Sequence, residues 1–153
     1  MQNYYLLQPE FLAWIANAYA SLIADYQFLV VRFEDWHIEL QSNRCIIIFY
    51  FDYRDGGIDV RLKPARIEQV PKPRFGIPVA YDVYSVLHHL DLNYRIPFPK
   101  QVEALSKDDE VQAARQYLEA ILATYARVIR EACTPFLEGD FSIWVELSGL
   151  QRN

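Results

Sequence analysis

Apolar residues recur at three- and four-residue steps near the start of the chain: Phe11, Leu12, Ile15, Ala18, Tyr19, Leu22, Ile23 and Tyr26. That period predicts a helix with one buried stripe, and Pro9 suits its first turn. From Leu29 the period changes. LVVRF (29–33), WHIEL (36–40), RCIIIFYFDY (44–53) and IDVRL (58–62) alternate or run continuously apolar, separated by Glu34-Asp35, Ser42-Asn43 and Asp55-Gly56. Four strands of an antiparallel meander follow, with Asp55-Gly56 the strongest turn, because a type I′ turn needs positive φ at both central positions.

The three turns are tested against one another by the faces they create, since a one-residue slip sends a whole apolar set to the opposite side. Centred on these dipeptides, they pair Phe51 with Val60, Phe49 with Leu62, Cys45 with Leu40, Ile47 with Ile38, Phe33 with Trp36 and Val31 with Ile38. One face then collects Leu29, Val31, Phe33, Trp36, Ile38, Leu40, Cys45, Ile47, Phe49, Phe51, Ile58, Val60 and Leu62 as core. The other presents Ile46, Ile48 and Tyr50 as an apolar island, with Val30 and a frame of Arg32, His37, Glu39, Asp52, Asp59, Arg61 and Lys63. An apolar island inside charges is the composition of a docking surface. Arg32, His37, Glu39, Ile46, Ile48, Tyr50, Asp59 and Arg61 are therefore the candidate partner-binding residues.

Past Lys63, Pro64, Pro71, Pro73 and Pro78 with Gly76 mark a long irregular connection. Tyr81 to Leu92 predicts a short helix with Val83, Val86, Leu87 and Leu90 on one side, before Pro97 and Pro99 interrupt. Ser106-Lys-Asp-Asp109 caps a long helix whose stripe is Val111, Ala114, Leu118, Ile121, Leu122, Tyr125, Val128, Ile129, Ala132 and Phe136, broken by Pro135 and Gly139. Arg115–Glu119 and Arg127–Glu131 stand at i,i+4 spacing on its exposed side. Phe141 to Leu147 adds a terminal turn or helix with Trp144. The expected fold is a single α+β domain over 1–153: an N-terminal helix, a four-stranded antiparallel meander, a short helix and a long C-terminal helix packed on one sheet face.

Composition narrows the function classes. With 153 residues, 52% apolar and 23% charged, the chain supports its own core and is far from the disordered range. A net charge of −5 without a basic stripe disfavours a nucleic-acid phosphate binder. No apolar run reaches membrane-spanning length, and the start MQNYYLLQPEFLAW lacks a basic region and a small-residue cleavage site, so a cytoplasmic protein without membrane contact is expected. Eleven Tyr, nine Phe and three Trp supply area suited to half-buried packing and interfaces.

Candidate chemistry is sparse. His88 and His89 point about 100° apart on a regular helix and cannot share one metal, and no second ligand pair with metal spacing exists. Cys45 and Cys133 fall in core-forming segments, which suits packing better than a thiolate nucleophile. No serine sits in a Gly-x-Ser-x-Gly elbow, and Ser85 with His89 lacks a third member. Asp52 is expected to face Asp59 across the last hairpin, with Arg54 and Arg61 balancing the charges. No catalytic residue, metal or cofactor is assigned.

Tyr125, then Thr134-Pro-Phe-Leu-Glu-Gly-Asp-Phe-Ser and Trp144, resembles the ending of small bacterial immunity proteins of polymorphic or contact-dependent toxin systems. The resemblance covers about twenty residues and, loosely, the order helix, antiparallel sheet, helix. It implies a non-catalytic protein that neutralises a cognate toxin by occluding it. Two other readings stand beside this one: a small acidic homodimeric chaperone or adaptor using the same sheet face, and a hydrolase with its site near His88 and His89.

Overall fold

The computed structural model describes residues 4–70, 80–91, 93–100 and 107–150. A 3-10 segment, Tyr4–Glu10, leads into helix α1 (Phe11–Ala18), and a step at Tyr19 separates it from α2 (Ala20–Tyr26). The expected single helix is thus three pieces, with Pro9 in the 3-10 segment, where its missing N–H is harmless. Tyr19 departs from helical geometry (ψ 11°) while its N–H still reaches the Ile15 carbonyl and its own carbonyl accepts from Ile23. Gln27, in the left-handed region at φ 57°, ends α2 and turns the chain into the sheet.

The sheet runs β1 (Leu29–Glu34), β2 (His37–Gln41), β3 (Cys45–Asp52), β4 (Gly57–Pro64) and β5 (Tyr81–Asp82), all antiparallel and in that spatial order. There are five strands where four were expected. Tyr81 and Asp82 pair with Leu62 and Arg61 before Asp82 turns its carboxylate onto the Ser85 N–H and hydroxyl, capping α3 (Val83–Leu90). One residue closes the sheet and starts the helix.

The two inner hairpins sit two residues away from their expected registers. Ile38 pairs with Phe49 and Leu40 with Ile47, because the turn centres on Asn43-Arg44 and the Ser42 hydroxyl accepts from the Arg44 and Cys45 N–H groups. Phe51 pairs with Ile58 and Phe49 with Val60, because Tyr53-Arg54-Asp55-Gly56 form a four-residue connection, closed by the Gly56 N–H to the Asp52 carbonyl at 2.7 Å. A shift of two preserves which face each side chain occupies. Ile38, Leu40, Cys45, Ile47, Phe49, Phe51, Val60 and Leu62 are accordingly all buried together.

The first hairpin is different. Glu34 pairs with His37 around an Asp35-Trp36 turn, and a bulge between Arg32 and Glu34 absorbs Phe33, so Val30 pairs with Leu40 and Arg32 with Ile38. The net displacement of one residue flips β1. Leu29, Val31, Phe33 and Trp36, expected in the core, leave it; Val30 and Arg32 move to the helix-covered side.

On that side Phe11 stacks on Phe51 at 5.3 Å and Tyr19 meets Phe49 edge-on at 4.8 Å. Helix α4 (Lys107–Ala132) lies against α1 and β4, burying Ala114, Leu118, Leu122, Val128 and Ile129. Val111, placed in this stripe from sequence, is exposed. The Ser106 cap and the connection holding Pro71, Pro73, Gly76 and Pro78 lie outside the described residues.

The expected pairs within α4 give way to longer-range ones. Arg115 grips Glu10 through two hydrogen bonds, 2.7 and 2.9 Å, and Arg130 reaches Asp25 and the Ser21 hydroxyl. Glu10 and Asp25 are fifteen positions apart, as are Arg115 and Arg130, so the two pairs hold α1–α2 and α4 parallel across about 22 Å. After α4, α5 (Thr134–Leu137), Gly139 at φ 96° and α6 (Trp144–Leu150) fold Phe136, Phe141 and Trp144 against one another and Tyr81.

Two substitutions separate the ring stacking from its polar cost. The Tyr19 hydroxyl is buried and finds no hydrogen-bond partner among the described residues. Tyr19→Phe is expected to leave stability unchanged or raise it by about 1 kcal/mol, whereas Phe49→Ala should cost about 3–5 kcal/mol in urea denaturation. A clear loss with Tyr19→Phe would show that the hydroxyl is satisfied. Burial also pushes the Cys133 thiol up to about 12 and moves Cys45 and Tyr19 upward as well. The native chain keeps protons that the unfolded chain begins to release near pH ~8.5, so this contribution is complete below that pH and lost as pH climbs toward the folded values. The urea midpoint should fall between about pH 7 and about pH 10, and an unchanged midpoint would contradict the burial of these groups.

Candidate protein-binding surface

The face of the sheet away from the helices is ordered in rows by the strand registers. One row runs Val31, Glu39, Ile48, Arg61, Asp82; the next runs Leu29, Gln41, Ile46, Lys63; a third joins His37, Tyr50 and Asp59. Of the candidate residues, His37, Glu39, Ile46, Ile48, Tyr50, Asp59 and Arg61 share this face. Arg32 does not: the β1 displacement places it on the helix side of the edge strand, exposed and bonded to Asp35 at 2.7 Å.

The same hairpin, through the flipped strand and its Asp35-Trp36 turn, delivers three residues that sequence reasoning put in the core. Leu29 is 66% exposed, Phe33 51% and Trp36 40%. Phe33 stacks on the His37 ring (4.7 Å, 18°), Trp36 lies beside His37 and Tyr50, and His37 and Tyr50 are 4.7 Å apart. These four rings form a continuous aromatic corner at the β1–β2 end of the sheet. Such contacts contribute about 0.5–1.5 kcal/mol per pair, which offsets part of the cost of a bulge that turns Phe33 outward on an edge strand. The alternation of β1 carried no signal of this, because Arg32 between Val31 and Phe33 fits the unbulged parity and a bulge reverses it.

Ile48 is only 5% exposed although it lies outside the core cluster. It is flanked in register by Glu39 and Arg61, long side chains whose stems cover an apolar neighbour while their heads stay in water. The apolar centre of this face is therefore Tyr50 and the aromatic corner, and Ile48 is a support beneath it.

Hydrogen bonds fix the polar frame. His37 Nε2 and Glu39 Oε2 are 2.8 Å apart, and Glu39 Oε1 accepts from Gln41 Nε2 at 2.9 Å, so both carboxylate oxygens are used. Arg61 Nε donates to Asp59 at 2.8 Å, and this bond raises the guanidinium further above its ordinary range, with Asp82 and Tyr50 adding to it. Asp52 does not face Asp59; it pairs with Gly57, while Asp59 pairs with Tyr50. The Arg54 backbone N–H bonds Asp52 and holds its carboxyl below the usual range. The proposed carboxylate pair dissolves with the two-residue register change.

The remaining candidate chemistry is dispersed. His88 stacks on Tyr84, and His89 Nε2 lies 2.8 Å from Glu146 of α6. The Ser85 hydroxyl donates to Asp82, so it is not directed at His89. Among the described residues no group of three His, Cys, Asp or Glu side chains is placed to hold a metal ion. Cys45 and Cys133 are both buried free thiols held protonated by burial. No helix of the described residues is long and apolar enough to cross a membrane.

Tryptophan accessibility tests this surface directly. Trp36 is exposed while Trp14 and Trp144 are buried. Iodide should quench one emitting class in the wild type, and Trp36→Phe should abolish that class and leave the rest unquenched. Persistent quenching in Trp36→Phe would contradict the placement of the corner. No protein-family model, curated protein or solved structure matches the chain.

Proposed function

We propose that this chain is a non-catalytic protein-binding protein of the immunity type, which neutralises a partner toxin by covering it with the outer sheet face. The observation that supports this reading best is the aromatic corner of Phe33, Trp36, His37 and Tyr50, exposed on the edge hairpin and bordered by fixed charges. Large aromatic anchors with a polar rim are the composition of a binding hot spot, and ion pairs such as Arg61–Asp59 around them favour one partner's charge pattern over others. The positions His37, Glu39, Ile46, Tyr50, Asp59 and Arg61 would contact the partner, joined by Leu29, Phe33 and Trp36.

A second reading, a homodimeric adaptor, is favoured by the free edge of β1, the terminal strand of the sheet, with Leu29 and Phe33 beside it. Light scattering distinguishes the two, since only the adaptor requires a dimer.

The test is co-expression with the polypeptide encoded beside this chain, scored by growth rescue and by pull-down. Phe33→Asp and Trp36→Asp are expected to fold and to lose binding by at least about thirty-fold, the loss of a hot-spot side chain. Rescue by both variants at the wild-type level would remove the surface from consideration. A neighbour that causes no growth arrest when expressed alone would overturn the immunity reading, and the pull-down would still report on the surface.

A further inference from the structure

A second concave feature lies on the helix-covered side, independent of the aromatic corner. It is a cleft of about 490 Å³ at the tip of the β3–β4 hairpin, bounded by Tyr4, Phe98, Tyr117 and Tyr125, with Ile58 beneath and Asp55 on the hairpin. Three separate stretches of chain bring these rings together: the 3-10 segment, the 93–100 segment and two turns of α4. Phe98 and Tyr125 meet edge to face at 5.3 Å. Tyr4 is placed by its N–H bond to the Tyr53 carbonyl, and its ring lies so close over Gly56 that an added Cβ would sit 2.7 Å from it. Gly56, at φ 77°, is required both by the turn and by this ring.

The charge of the cleft selects its ligand. Among the described residues its one charged lining side chain is Asp55, which has no ion pair there; one of its carboxylate oxygens accepts from the Gly57 N–H. No Lys, Arg or His lines the cleft among the described residues. Burial raises the Tyr125 phenol to about 12, so that wall is a neutral ring. An anion would meet a carboxylate and electron-rich rings, with no cationic donor among the described lining residues. A cation would gain the carboxylate and the ring quadrupoles together. The volume falls within the range of small-molecule sites.

We propose that this cleft binds a small organic cation with an apolar body, of the alkyl- or arylammonium class. The apolar body would lie on Ile58 and the rings, with the ammonium group toward Asp55.

The experiment is an amide-shift NMR titration of the full chain with benzyltrimethylammonium chloride, and with sodium benzoate at equal ionic strength. Saturable shifts of Gly56, Gly57 and Ile58 are expected with the ammonium and none with benzoate. Asp55→Asn keeps an acceptor for the Gly57 N–H, and Tyr117→Ala removes one wall; each should weaken binding about five-fold or more, while amides of β1 and β2 stay in place. Tyr117→Phe should bind as wild type, which keeps the test valid if Tyr117→Ala unfolds. Absence of saturation at millimolar probe, equal binding of benzoate, or no effect of Asp55→Asn would overturn the proposal. Tighter binding of an acetylated, amidated arginine tripeptide than of the ammonium probe would overturn the small-molecule assignment.

Discussion

The contact on which the rest of the structure depends is the seating of two helix rings on one strand, Phe11 on Phe51 and Tyr19 on Phe49. β3 is paired along both sides, so its inner side chains set where the helices can lie. Once Phe11 and Tyr19 are seated, Glu10 and Asp25 are carried into fixed positions beyond the sheet, and Arg115 and Arg130 of α4 meet them. The ion pairs are part-exposed and individually weak. Their value is registry: a slip of α4 by one turn would lose both at once while leaving its apolar stripe almost equally buried. Apolar burial across the core supplies the free energy, and the arginines select among helix positions that burial alone would barely distinguish.

How much of this could be read in advance depended on the kind of signal. The inner faces of β2, β3 and β4 were legible because strand alternation has a period of two and both inner hairpins deviated by two. Their turns were not, since side chains decided them: the Ser42 hydroxyl moved the first onto Asn43-Arg44, and Asp52-to-Gly56 closure lengthened the second. β1 was misread because a bulge changes parity, and no periodicity argument anticipates one added residue. Arg115 was assigned to Glu119 in sequence when the tertiary carboxylate of Glu10 bound it, Arg130 was assigned no partner, and β5 was hidden because two residues carry no period.

The C-terminal pattern that carried the family resemblance has its own physical account. Phe136, Phe141 and Trp144 form a ring cluster with Tyr81, Gly139 supplies the positive φ that folds it, and Asp140 accepts from the Ser142 N–H. These residues would be selected for packing in any chain that ends its long helix this way. The surface reading of function therefore rests on the outer sheet face, where packing gives no such account.

On that face the bulge decides the chemistry. Without it, Phe33 would lie on the core side of β1 and Trp36 of the turn would stand without that ring beside His37. With it, Phe33 joins Trp36 in water beside His37, whose ring Glu39 holds by a bond anchored in turn by Gln41. Exposed aromatics are costly to leave in water, and stacking on His37 and Tyr50 recovers only part of that cost. Stacking also restricts the rings before any partner arrives, so less rotamer entropy is lost on docking. A corner that is exposed, stacked and braced by hydrogen bonds is organised before any contact is made, and that order is the physical reason to test this surface for binding.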